Sequence, residues 1–230
     1  MSKQKDILEY LESISSNDSS LKALIQELTD SGTLCLIGGA IRDIVYYQKE
    51  PRDIDFVFWG DLDLIISSLS LNAKKNRFGG YKIQFQNEIC IDIWKQSDNW
   101  AFKNNLLKPT IENMHLGCFF NYDSLIMALH CDYYEDSNFQ KFQKDRELDF
   151  IFHDDNYIKM NPTSEVNIVR ALHIREKHNV SFSNRVWEYI NDFKANTGKD
   201  CIKKLLKADQ EHYHQNSWNE TKYRQILSDF

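Results

Sequence analysis

Residues 36–58 read LIGGAIRDIVYYQKEPRDIDFVF, and the fold follows from how this stretch divides. Thr33–Ile37 (TLCLI) is a short unbroken apolar run of the kind a buried strand makes. Gly38 and Gly39 interrupt it, and from Ala40 to Tyr47 the apolar residues return at helical spacing. Glu50-Pro51 ends that helix, because a proline steers the residue before it out of helical conformation. Asp53–Trp59 (DIDFVFW) then reads as a second strand. Side chains two apart on a strand share a face and lie ~6.5–7 Å apart. Asp53 and Asp55 therefore aim together, while Ile54 and Phe56 turn to the core. Two carboxylates so placed repel each other unless a cation lies between them. Magnesium, a hard ion that prefers oxygen ligands, is the natural one.

Working outward, Asp92 lies in the alternating run ICIDIW (89–94), with Ile91 and Ile93 facing the other way. On an adjacent strand it supplies a third carboxylate and completes a site for two ions ~3.5–4 Å apart. Gly38-Gly39, between strand and helix, lets backbone approach a phosphate closely, and the amides opening the helix favour anions. Arg42, one turn in, adds a cation, and Asp43 is placed to fix the glycine turn by accepting hydrogen bonds. Neither GxxxxGK[ST] nor GxGxxG is present. A phosphate cradle beside a carboxylate cluster suits attack of a hydroxyl on the α-phosphate of a nucleoside triphosphate.

Around this centre, residues 5–30 carry two helical patterns, Ile7, Leu8, Leu11 and Ile14 on one face, then Leu21, Leu24, Ile25 and Leu28. Asp61–Leu71 reads as a helix, and Tyr81–Phe85 with Ile89–Trp94 as a hairpin turning at 86–88. His115–Asn121 and Leu125–Leu129 read as a further strand pair, Phe139–Leu148 as a helix and Phe150–His153 as a short strand. From Thr163 the pattern is helical, over about 163–178, 183–196, 199–208 and 211–228. The expected class is α+β: helices over 1–30 packing on a mixed-sheet head of 31–157, then an all-helical region over 158–230.

Hydrophobic residues are 42% of the 230, enough for a core. No apolar run approaches the ~18–20 residues of a membrane span, and MSKQKDILEYLESISS lacks the apolar centre of a signal peptide. A cytoplasmic protein without membrane contact is expected. The net charge of −6 argues against indiscriminate coating of nucleic acid but leaves room for a local basic groove. The candidates for such a groove are Lys74, Lys75 and Arg77, and Lys199, Lys203, Lys204 and Lys207. The five cysteines form no CxxC pair and read as buried thiols. His212 and His214, two apart, fall on different helix faces and read as solvated.

GGAIRDIVYYQKEPRDIDFVF resembles the GG…RD…DxD signature of the DNA polymerase β-type nucleotidyltransferases, in particular the head domain of bacterial poly(A) polymerases and CCA-adding tRNA nucleotidyltransferases. Arg52-Asp53-Ile54-Asp55 matches the family's [K/R]-D-[hydrophobic]-D strand residue by residue. Residues 161–183, NPTSEVNIVRALHIREKHNVSFS, are similar to the start of that family's helical neck, and set Arg170 and Arg175 where such helices keep residues near the incoming nucleotide. The family's RRDFTINAL segment and EDxxR motif have no counterpart, and the chain ends where those enzymes continue into body and tail domains. The resemblance implies transfer of a nucleoside monophosphate from an NTP, ATP or CTP, to an RNA 3′-hydroxyl such as a tRNA end. Asp53, Asp55 and Asp92 would hold two Mg2+ ions, and Gly38, Gly39, Arg42 and Arg170 would bind the nucleotide. The departures leave two alternatives: the same chemistry on an aminoglycoside-like small molecule or a protein side chain, or a degenerate fold that only binds nucleotide.

Overall fold

The computed structural model describes residues 3–76, 79–85, 88–152, 155–161, 163–214 and 217–228. The chain forms two compact units, one of Met1–Cys118 with Asp123–Phe139, the other of Phe119–Tyr122 with Gln140–Phe230.

The first unit opens with α1 (Lys3–Ser15) and α2 (Ser19–Ser31), the latter started by Asp18, whose carboxylate accepts from the amides of Ser20 and Leu21 at 3.0 Å. Then follow β1 (Thr33–Ile37), α3 (Gly39–Val45), β2 (Ile54–Trp59), α4 (Leu62–Ser68), β3 (Ala73–Lys75), β4 (Tyr81–Gln84) and β5 (Cys90–Lys95). Two single-turn helices, α5 (Trp100–Lys103) and α6 (Ile111–Met114), precede β6 (Ile126–Ala128) and β7 (Tyr134–Glu135). The seven strands form one sheet in the order β3-β4-β5-β2-β1-β6-β7, antiparallel except for the central β2–β5 pair.

Both sheet faces are covered around the middle. Cys35, Ile37, Val57, Ile126 and Ala128 point to one face, where Phe102 of α5 and Met114 of α6 pack on them. The intervening Leu34, Leu36, Phe56 and Phe58 are completely buried on the other face, with α2 and α3 against β1.

The second unit contains most of α7 (Ser137–Asp145), a two-strand parallel ladder of β8 (Glu147–Leu148) and β9 (Ser181–Phe182), and α8 (Asp155–Met160). It continues through α9 (Ser164–His178), α10 (Asn184–Thr197), α11 (Cys201–Tyr213) and α12 (Glu220–Leu227). Asn179 ends α9 in the left-handed region at φ 49°, and Ser183 caps α10 through the amide of Val186. Phe119, Phe120, Phe150 and Tyr189 stack edge-on and face-on in its core.

Several local expectations need correction. His115–Asn121 is no strand: His115–Gly117 and Asn121–Asp123 are single 3-10 turns. The carbonyl of His115 accepts from Ser124 Oγ at 2.9 Å and that of Gly117 from Trp100 Nε1 at 3.0 Å, so these backbone groups are spent on side chains rather than a ladder. Phe150 makes only an isolated bridge to Phe120, and His153 lies outside the described residues. The expected helix over 211–228 is broken at His214, φ 48°, and α12 restarts only after the Asn219 cap. The cysteines are free, but only Cys35 and Cys201 are buried, and Cys131 is exposed.

Candidate active site

The signature residues of the first unit meet at one end of the sheet. Ile37, the last residue of β1, pairs across the antiparallel ladder with Asp55, and Asp55 pairs across the parallel ladder with Asp92. The glycine turn thus begins one residue beyond the partner of Asp55. Neighbouring strands lie ~4.8 Å apart, so Asp55 and Asp92 leave adjacent positions on one face, while Asp53 lies in the bend just before β2. Val57 and Ile37, on the same face, are covered by Phe102 and Met114. Beyond that cover Asp53, Asp55 and Asp92 are each half-buried.

Cations already attend these carboxylates. Arg52 Nη2 lies 2.8 Å from Asp53 Oδ2, and Lys82 Nζ lies 3.3 Å from Asp92 Oδ2. Lys82 stands opposite Asp92 in the β4–β5 register. Burial draws its ammonium down, but Asp92 and Cys90 outweigh this and leave its pKa raised. The Cys90 thiol, two residues before Asp92, is pushed up by burial and by the Asp92 and Asp53 charges, with Lys82 opposing, so it stays protonated.

Asp55 and Asp92 share a face, and Asp53 comes one residue before β2. Among the described residues no group of three or more His, Cys, Asp or Glu side chains is arranged to hold a metal ion. Asp53 is paired with Arg52 and Asp92 with Lys82. The donor set itself is all carboxylate oxygen on one strand edge, which suits a hard divalent ion.

Gly38 has φ 68° and ψ −126°, and its amide donates to the Leu125 carbonyl at 2.9 Å. A Cβ there would find room, 3.8 Å from the Asp123 carbonyl, so a side chain meets a conformational penalty rather than a clash. Gly38→Ala is expected to cost about 1–3 kcal/mol, read from the urea midpoint; a change under a few tenths would remove the requirement for positive φ.

Below the turn Arg42 is buried, its guanidinium 3.1 Å from Asp123 and 3.4 Å from Asp43, while Lys49 reaches Asp43 at 3.3 Å. A Cβ on Gly39 would stand 3.3 Å from Arg42 Nη2, so the arginine packs directly under the glycines. Arg42 and Asp43 therefore brace the turn. Arg170 is half-buried on α9 in the second unit. Lys75 pairs with Asp63 at 2.9 Å, and Arg77 lies outside the described residues.

The sequence reading passed over Lys82, Cys90 and Asp123. The hairpin centred on residue 87 already implies that Lys82 opposes Asp92, so the signal for Lys82 was present. Asp123 carries none, because its place beside Arg42 depends on a contact 81 residues apart in the chain.

No family model matches the chain, and no curated protein matches it. Solved structures do. A CCA-adding enzyme in an apo form superposes with a TM-score of 0.64 at 13% identity, over 90% of this chain and 49% of that one. A CCA-adding enzyme complexed with CTP gives 0.62 at 15% identity, over 97% and 50%. The Thermotoga maritima CCA-adding enzyme complexed with tRNA gives 0.59 at 15% identity, over 90% and 48%. The chain spans about half the length of the solved structures it matches. At these identities the likeness is one of fold alone, shared with the matched half of these CCA-adding enzymes.

Proposed function

We propose that the protein transfers a nucleoside monophosphate from an NTP, ATP or CTP, to an RNA 3′-hydroxyl such as a tRNA end, with magnesium. The observation that carries this reading is the register of Asp55 with Asp92, one residue from the Gly38-Gly39 turn. Asp53, Asp55 and Asp92 would hold the ions. When bound, these offset the charge of the triphosphate and make the attacking hydroxyl more acidic. The Gly38-Gly39 turn would let backbone come close to the triphosphate, the Gly38 amide itself being given to the Leu125 carbonyl, and Arg42 keeps the turn in place beneath it. Arg170 is carried over from the sequence resemblance as a further nucleotide contact. A nucleophile and an α-phosphate held in line need little more from the protein than positioning and countercharge.

The net charge of −6 favours a second reading, the same transfer onto a small molecule or a protein side chain. Incubation with each labelled NTP, magnesium and total RNA tests both. Label in RNA that depends on Asp55 supports the first reading. Label on the protein itself, with none in RNA, replaces it with the second, and no label in RNA ends the first.

A further inference from the structure

The second unit carries a groove of about 820 Å3 between α11, the turn before it, and α12. Its lining includes four cations, Lys199, Lys203, Lys207 and Arg224, and one carboxylate, Glu220. In a chain of net charge −6 this is a local segregation of charge. Lys203 and Lys207 are i and i+4 on α11, and Lys199 precedes them at the same interval. Along a helix that interval rises ~6 Å on one side. Cys201, Leu205, Ala208 and Asp209 bury the other side of α11, so the lysines occupy the face it shows to solvent.

Some lysines elsewhere are matched to acids; Lys75 and Lys95, for example, share Asp63. In the groove Arg224 is held by Glu220, and Lys207 comes only to 4.0 Å of Glu211. Among the described residues Lys199 and Lys203 make no ion pair. Ile202 and Leu206, both half-buried, are the apolar part of the lining. Protein interfaces deplete lysine and centre on large apolar or aromatic anchors, whereas nucleic-acid interfaces are polar and strongly cationic.

We propose that this groove binds the phosphodiester backbone of a nucleic-acid strand. That the strand is RNA rests on the function proposed above; the preference for phosphate does not.

The test is fluorescence anisotropy with a labelled single-stranded RNA, and DNA of the same sequence, over a salt series. The Lys199→Gln/Lys203→Gln/Lys207→Gln variant should bind at least tenfold more weakly at low salt. Its slope of log K against log salt should be shallower by roughly two, at about 0.7 per lost lysine contact. Restoring charge with arginine at the three positions should restore the slope, and Lys144→Gln on α7 should leave it unchanged. Equal binding of RNA and DNA supports a backbone contact. A triple variant with the wild-type slope overturns the proposal. So does wild-type binding of polyglutamate as tight as RNA, which would mark a protein surface instead. Asp55→Asn should keep this binding, so loss of transfer and loss of the groove's role are read separately.

Discussion

Asp55→Asn is expected to lower label transfer by at least about 10²–10³-fold, because it removes charge where the reacting phosphate needs it met. The fold should survive. Asp55 and Asp92 stand directly opposite each other across β2 and β5, and like charges so placed destabilise a sheet by roughly 0.2–1 kcal/mol. The variant should therefore melt at the same temperature as wild type or slightly higher without magnesium, with function and stability opposed at this pair. A variant that loses transfer together with several degrees of melting temperature would assign Asp55 a structural task. One that transfers at the wild-type rate would remove it from the site.

The second large effect is expected in the helical unit. Asp209 is fully buried. Its carboxylate accepts from Trp218 N at 2.8 Å and Tyr223 Oη at 2.9 Å, and pairs with His173 Nε2 at 3.0 Å. His173 is itself stacked between Tyr213 and Trp218, at 3.9 and 4.0 Å between ring centroids. One side chain thus ties α9, α11 and α12 together across the break at His214. Asp209→Ala would leave a buried hydroxyl, a backbone amide and an imidazole without it, a loss of about 3–5 kcal/mol. Urea unfolding should show it as a lower midpoint, and Asp209→Asn, which keeps an acceptor, should lose less. A loss below 1 kcal/mol for the alanine variant would mean that water or a neighbour satisfies these groups.

Acid should weaken both units. Burial holds His173 below its ordinary pKa, against the opposing pull of Asp209 and Glu176, and burial does the same to His115 against Glu135. Each folded pKa lies below the unfolded value of ~6.5. The unfolded chain therefore takes up protons first as pH falls. Stability contributed by the neutral imidazoles is complete above about 6.5 and declines below it, by up to about 1.4 kcal/mol per pH unit for each histidine. Melting temperatures between pH 7.5 and 5 should show the decline, and His173→Gln should flatten it. A curve unchanged in the variant would clear His173 of the effect.

Local chemistry in the chain determined a good deal by itself. An apolar run, a glycine pair and a strand beginning Asp-Ile-Asp specify strand, turn, helix and strand over 33–59, because each choice rests on short-range sterics and on which face must be buried. Alternation is the reason to expect Asp53 and Asp55 on one face, and a hairpin centred on residue 87 opposes Lys82 to Asp92. The helical tail was legible from the 3.6-residue period of its buried positions. What the sequence could not decide were the long-range pairings. That β2 lies parallel to β5, with Asp55 beside Asp92, depends on a pairing between residues 37 apart in the chain, and no period within either strand reports it. That Arg42 turns inward to Asp123, and that His115–Asn121 abandons the ladder for turns, depends on partners brought up by other elements. Beyond the break at His214, Asp209, buried by its own helix, takes the Trp218 amide that a continuous helix would have used. Backbone and carboxylate groups take the partners that the packed chain presents, and those partners are set by tertiary contacts.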